Sequence, residues 1–315
     1  MDERPNTIDF DAIEERLVKV RPGSMRELFV QCVAGDVAPN VALSRLLLAA
    51  GRVEDAEELV ALAARSWGQP LDPSLREMAR LLHDNREGCQ RVALMLREHP
   101  DPTEPADSAE EAVELYRDFF DRAVGWSEEG SVAAYSLGNP GLLGEVTDEV
   151  ADAFESWGLL GPDRRTLEIG CGIGRMQAAI ASRVAEAYGI DVSPKMVAAA
   201  RRRCAGLANV HLETTPGRDL AQFADGFFDL VFAVDSFPYI HHAGPEMVKT
   251  HFNEAARVLR PGGEFVLLQF SYRDDLPADR AEARRLCHAT GFSLVVAGSE
   301  PFKLWDGVVF RCRRS

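Results

Sequence analysis

An α/β fold with a mostly parallel sheet, preceded by an all-helical domain, is what this sequence predicts, and three observations predict it. The first is a short apolar run around an acid (Thr166, Leu167, Glu168, Ile169) that leads into Gly170-Cys171-Gly172-Ile173-Gly174 and then into a helix-like segment, residues 175–183. A strand, a tight glycine turn and a helix start form the layout that brings backbone close to a cofactor. The second is residues 227–234, an apolar run broken by one acid, as expected of a central strand covered on both faces. The third lies in the first hundred residues, where apolar stripes at helical spacing alternate with turn signals.

Those early segments come in order. Residues 25–34 end at Gly35-Asp36, residues 41–50 at Gly51-Arg52, and residues 53–67 at Gly68-Gln69-Pro70; residues 74–83 and 88–98 complete the series before Pro100. Leu43, Leu46, Leu47 and Ala50 make one stripe, and Ala56, Leu59, Val60 and Ala63 another. The pair spanning residues 41–65 resembles one helical hairpin of the tetratricopeptide type, but no clean 34-residue period recurs, and arrays need several neighbours to bury their faces. The expectation is an all-helical accessory domain over residues 1–105, with a protein partner for its helices as a possibility. Residues 100–105, with three prolines, read as a stiff polar linker.

Beyond the linker, residues 111–123 and 146–157 carry helical periodicity. After the glycine turn a second strand ends at Gly189-Ile190-Asp191, and Ser193-Pro194 reads as an N-cap with proline at the first helical position, opening a helix over 195–204. A third strand (209–213), the segment Gly217-Arg218-Asp219-Leu220, the central strand, a helix ending near residue 260, the Pro261-Gly262-Gly263 turn and a strand over 264–270 follow. A helix over 278–290 and strands over 292–297 and 307–312 finish the chain.

With these pieces in order, residues 109–315 resemble a class I S-adenosylmethionine (SAM) dependent methyltransferase. The matching motifs are E-x-G-x-G-x-G at 168–174, G-I-D-x-S-x-x-M at 189–196, G-R-D-L at 217–220, F-D-L-V-F at 228–232 and R-V-L-R-P-G-G at 257–263. The resemblance implies a Rossmann-like seven-stranded sheet, mostly parallel with an antiparallel last strand. It implies a catalytic domain over 106–315, in which 106–160 form a helical lid and 161–315 the core. It also implies SAM as cofactor and S-adenosylhomocysteine (SAH) as product.

Carried over residue by residue, Gly170, Cys171, Gly172 and Gly174 would bring backbone to the methionine part of SAM, with Glu168 facing its ammonium. Asp191 would accept the ribose hydroxyls, beside Val192; Met196 would cover the adenine; Asp219 and Leu220 would meet its amino group and ring. Here the chain departs from the commoner G-D-A pattern, because Arg218 intervenes. Val234 would line the cleft near the sulfonium. Asp235, Tyr239 and, through the lid, Tyr135 are the expected substrate contacts. His241 or His242 is the candidate catalytic base, since ligands of open α/β sheets bind outside the strands' carboxyl ends and a histidine can deprotonate a hydroxyl near neutral pH. Each has a plainer alternative: a tight turn for the glycines, core packing for Met196 and Tyr135, a structural role for the histidines.

The residues also weigh against other chemistries. A dinucleotide site places pyrophosphate at the helix N-terminus, usually within G-x-G-x-x-G; here Arg175 holds the last position and Glu168 would face the anion. A net charge of −15 disfavours a nucleic-acid substrate, and the runs at Arg201-Arg202-Arg203 and Arg311 to Arg314 read as solvated surface. The six cysteines are scattered without metal-ligand spacing, and no metal is expected: Asp235 and Asp274-Asp275 lie roughly where catechol-type methyltransferases hold magnesium, but their chain context does not match that subgroup. With no apolar run long enough for a membrane span and no leader pattern, a cytoplasmic protein without membrane contact is expected. The reading is therefore methyl transfer to an O or N atom of a small molecule, against a non-catalytic SAM-binding scaffold or a protein methyltransferase recruiting its partner through the helices.

Overall fold

Among the described residues, helices occupy the chain up to residue 156, and from there strands and helices alternate. The computed structural model describes residues 24–67, 70–100 and 106–315; the expected linker beyond Pro100 and the Gly68-Gln69 turn lie outside the described residues. Two compact units result. One holds the helices up to His99 together with Trp126–Val146 and Lys303–Asp306; the other holds Pro100–Gly125, Thr147–Phe302 and Gly307–Ser315. The division runs through the segment 106–160 rather than around it.

In the helical unit, α1 (Ser24–Ala34), α2 (Pro39–Ala50), α3 (Val53–Ser66), α4 (Pro73–Asp84) and α5 (Arg86–Glu98) match the expected series to within about two residues at either end. Proline begins α2 and α4, where a missing N–H costs nothing. Gly51 closes α2 in the left-handed region (φ 67°), its N–H donating to Leu47 O at 2.9 Å. Both stripes turn inward: Leu43, Leu46, Leu47, Ala56, Leu59, Val60 and Ala63 are buried around Phe29 and Met78. The same unit takes in α7 (Glu128–Val132) and a 3-10 turn (Ala134–Ser136).

In the sheet unit, among the described residues, seven strands form one sheet in the order β3-β2-β1-β4-β5-β7-β6. They are β1 (Gly161–Ile169), β2 (Val184–Asp191), β3 (Val210–Thr214), β4 (Phe228–Val234), β5 (Leu259–Leu268), β6 (Phe292–Ser299) and β7 (Val309–Arg314). The first five run parallel, and β7 lies antiparallel between β5 and β6, so the expected fold class is the one observed. Two strands begin earlier than expected: β1 at Gly161 and β5 at Leu259, each behind an irregularity in its pairing (Gly161/Arg165 and Phe228/Leu230) that carries the pairing through turn-like residues.

The acid inside the apolar β4 run has a structural partner set. Asp229 accepts from Arg165 N at 2.8 Å and pairs with Arg260. The C-terminal arginines are likewise taken up by the sheet: Arg311 and Arg313 both reach Glu264 of β5 at 2.8 Å. The helices of this unit are α6 (Ala109–Trp126), α8 (Pro140–Ser156, shared with the helical unit), α9 (Arg175–Ile180), α10 (Pro194–Arg203), α11 (Phe237–His242), α12 (Pro245–Val258) and α13 (Leu276–Thr290). The strand order reverses between β1 and β4, which opens a crevice at the carboxyl ends of those strands. No helix among the described residues is long and apolar enough to cross a membrane.

Candidate active site

At the end of β1 the chain turns through three glycines with positive φ, 74° at Gly170, 52° at Gly172 and 72° at Gly174. Gly170 and Cys171 donate from their N–H groups to Ile190 O at 2.8 and 2.9 Å, so the turn is stitched to the end of β2. A Cβ on Gly170 would stand 2.4 Å from Ser236 Cβ, and one on Gly174 would stand 3.0 Å from Ala200 Cβ. Close approach as well as conformation therefore demands glycine here. Ser236 Oγ donates to Ile169 O at 2.5 Å, tying the end of β4 to the end of β1 beneath the turn.

Asp191, the last residue of β2, faces that turn. Its Oδ2 accepts from Gly172 N and its Oδ1 from Ser193 N, each at 2.9 Å. A carboxylate has about four lone-pair positions, so each oxygen can still accept from a further hydroxyl. Burial pushes its pKa up to about 6 against the pull of those two amides, and the Asp121 carboxylate adds to the rise. Val192 is half-buried beside Gly217, and Met196 is buried within α10, whose N-terminus Ser193 caps as expected (Oγ from Met196 N, 3.1 Å). Asp121 of α6 accepts from Ser193 Oγ at 2.5 Å and Lys195 N at 3.2 Å, which fastens α6 to this turn.

Glu168 is buried one residue before the end of β1, where Gln177 Nε2 donates to its Oε2 at 2.8 Å. Burial raises its pKa to about 8, opposed by the Gln177 amide and Arg175 and reinforced by Asp191. Gln177 Oε1 is buried without a hydrogen-bond partner. Arg175 is itself buried and donates from Nη1 to Thr147 Oγ1 at 3.2 Å. Burial also raises the Cys171 thiol well above its ordinary pKa, which keeps it protonated and unreactive. Two buried acids beside a glycine turn are suited to hydroxyl and ammonium donors; a pyrophosphate would add negative charge to them.

Asp219 is half-buried and accepts from Ala221 N at 3.0 Å. Leu220 is fully buried, its N–H donating to Glu254 Oε2 at 3.1 Å and its carbonyl accepting from Arg257 Nη2 at 2.9 Å. Val234 ends β4, and Asp235 follows in the left-handed region (φ 58°). Tyr272, just past β5, donates its O–H to Asp235 Oδ1 at 2.7 Å.

The residues after Ser236 form α11, with Pro238 in its first turn. The helix separates the two histidines. His242 Nδ1 and Tyr116 OH of α6 share a hydrogen bond of 2.8 Å. His241 Nε2 stands 3.4 Å from Glu282 Oε2, in a network where Arg273 pairs with Glu282 (2.8 Å) and Asp279 (2.6 Å). Tyr239 packs among Tyr116 (4.6 Å between ring centroids), Phe120 (5.2 Å) and Tyr272 (5.7 Å). Burial, with the Asp235 carboxylate, raises its pKa above the ordinary tyrosine range. Tyr135 belongs to the helical unit, where it is buried with its ring 5.7 Å from that of Trp305. Among the described residues no group of three or more His, Cys, Asp or Glu is arranged to hold a metal ion.

Tyr116, Phe120, Tyr272 and Asp121 join this site without having been singled out from the sequence. Tyr116 and Phe120 stand four apart on one face of α6, a spacing indistinguishable from a core stripe until the helix is seen against α11.

Comparison with known proteins agrees with the resemblance. Residues 167–267 match the family model described as a methyltransferase domain. A demethylmenaquinone methyltransferase of Tropheryma whipplei is 35% identical over 106 residues, covering 34% of this chain and 41% of that protein. A 2-methyl-6-phytyl-1,4-hydroquinone methyltransferase of Synechocystis is 30% identical over 177 residues, covering 48% of this chain and 50% of that protein. The chain thus spans about half or less of the length of these two relatives. In fold it is similar to Haemonchus contortus phosphoethanolamine N-methyltransferase 1 (TM-score 0.52, 17% identity, 65% of this chain and 49% of that one).

Proposed function

We propose that this chain, whose sheet unit carries a class I methyltransferase domain, is a SAM-dependent enzyme that methylates an O or N atom of a small molecule by direct displacement. The observation that carries the reading is the Asp191 carboxylate, buried at the end of β2 and held by the amides of Gly172 and Ser193 beside the glycine turn. That donor set fits SAM. Asp191 accepts the ribose hydroxyls, Glu168 and the Gly170–Gly174 backbone receive the amino-acid end, and Met196, Asp219 and Leu220 hold the adenine side, with Val192 and Val234 as apolar walls. When bound, SAM supplies a methyl group already activated on a sulfonium.

What remains for the protein is to orient the acceptor, exclude water and manage a proton. Asp235 and Tyr239 lie at the carboxyl end of β4 beside Val234, and they are the proposed acceptor contacts. His242, hydrogen-bonded to Tyr116, is the proposed base when the acceptor arrives protonated: a proton taken by the histidine can be shared along a fixed 2.8 Å contact. His241, in the Glu282–Arg273 network, supports α11 from its other side. Calorimetric titration of the full chain with SAM, SAH and NAD tests the cofactor assignment. Binding of the first two, strongly weakened in Asp191→Ala, is expected; binding of NAD alone would overturn it.

A further inference from the structure

Resting on the methyltransferase reading, the acceptor class can be narrowed by the side chains beyond the cofactor residues. The strand order is β2-β1-β4-β5; the proposed cofactor contacts sit mainly at the ends of β1 and β2, and a second set gathers at the ends of β4 and β5. That set is Tyr239, Tyr272 and Asp235, with Tyr116 and Phe120 from α6. We infer that these residues form a subsite for a cationic nitrogen, so that the methyl acceptor is an amine.

Three features argue for a cation over a flat neutral acceptor. First, the rings are inclined to one another: Tyr239 makes interplanar angles of 52° with Tyr116, 77° with Phe120 and 73° with Tyr272. Inclined rings make the walls of a box; a planar aromatic acceptor would want two near-parallel faces and a slot between them. Tyr116, Phe120 and Tyr272 are thus set at steep angles around Tyr239, and electron-rich ring faces attract an ammonium group. Second, a carboxylate is built into the box. Asp235 sits in a left-handed backbone conformation that aspartate tolerates better than most residues, and Tyr272 OH holds its carboxylate at 2.7 Å. Third, Arg273, next to Tyr272 in sequence, is committed to Asp279 and Glu282. Its charge is spent on these two acids, so the surroundings keep a negative bias that an anionic acceptor would oppose.

Methylation of such an acceptor begins with loss of one proton from the ammonium nitrogen, to Asp235 or His242. The freed nitrogen pair forms the new C–N bond as the C–S bond breaks, and the C–S electron pair stays on sulfur. The methylated nitrogen is again cationic, so the box also receives the product.

Full-length protein saturated with SAH should be titrated calorimetrically, at constant ionic strength, with choline and with its neutral carbon isostere 3,3-dimethylbutan-1-ol. Choline should bind about tenfold or more tightly than the isostere, and Asp235→Asn and Tyr239→Leu should each remove most of that preference. SAH affinity in both variants should stay within about threefold of the parent, showing that they fold. Equal binding of the two probes, or of neither, overturns the cation subsite, as does an unchanged preference in Asp235→Asn. A chain that binds no SAH refutes the cofactor reading instead, and the same two probes then decide the subsite on the free protein.

Discussion

Replacing Glu168 with glutamine should stabilise the protein at alkaline pH while weakening its hold on the cofactor. The side chain is 3% exposed, and burial holds its pKa near 8 against an ordinary 4.5. For an acid raised in this way, the folded state keeps a proton that the unfolded state has lost. Its burial therefore costs nothing below about pH 4.5, and stability falls as pH rises from there through 8. At about 1.36 kcal/mol per pH unit, the loss between pH 5 and pH 8 is on the order of 3 kcal/mol. Glutamine keeps the shape and can still accept from Gln177 Nε2, now at 2.8 Å, but it has no proton to lose. Urea denaturation of both proteins at pH 5 and pH 8 should show the variant close to the parent at the lower pH and more stable by about 2–4 kcal/mol at the higher. SAH should bind the variant about tenfold or more weakly at pH 8, because the ammonium loses its counter-charge. A stability difference that does not change between the two pH values would refute the claim that Glu168 is buried with an elevated pKa.

Other perturbations have outcomes as definite. Asp191→Ala should weaken SAH binding by about 30- to 100-fold, the equivalent of about 2–3 kcal/mol for lost charged hydrogen bonds, as read by calorimetry. Gly170→Ala must place a Cβ 2.4 Å from that of Ser236 at a φ of 74°, and should cost at least about 2 kcal/mol in a denaturant melt. Gly144→Ala, in α8 with open space around it, should be neutral or stabilising by up to about 1 kcal/mol in the same melt. His242→Gln and Tyr116→Phe should each lower kcat by about 10- to 100-fold with the KM for SAM unchanged, and the double variant should be little worse than His242→Gln. Strictly additive losses would mean that the 2.8 Å contact does not couple the two residues.

Most of the sheet and of the backbone around the proposed cofactor site was legible because each signal was local. The glycine turn, the Ser193-Pro194 cap and the apolar β4 run each fix their own backbone through neighbours a few residues away, and all appear where expected. The proposed acceptor side was legible only in part, because the contacts there join distant segments. Tyr116 and His242 are 126 residues apart, and Asp235 and Tyr272 are 37 apart. Nor does periodicity tell which of two adjacent histidines faces α6: the one-turn helix α11 sends His241 to Glu282 and His242 to Tyr116. The early starts of β1 and β5 are not legible in the sequence because Gly161-Pro162 and Pro261-Gly262 carry turn chemistry that sheet pairing overrides through an irregular register.

Several costs in the sheet unit gather at one end. At the amino end of β1 and β4, charges are conventionally matched, as in Arg165 with Glu186 and Arg260 with Asp229. At the carboxyl end, Glu168 and Asp191 are buried acids with raised pKa values, Gln177 Oε1 lacks a partner, and Asp235 and Gln269 adopt left-handed backbone immediately after β4 and β5. Strain and desolvation of that kind persist only where the rest of the fold over-determines them. Here the apolar layer around Phe228, Phe252 and Phe265 supplies that surplus. A ligand bringing an ammonium to Glu168 and hydroxyls to Asp191 would relieve the desolvation directly, so binding and folding should be tightly linked in this chain. SAH should accordingly raise the melting temperature more at pH 8 than at pH 5, since the ionised form of Glu168 that the ligand stabilises is the one the free protein disfavours.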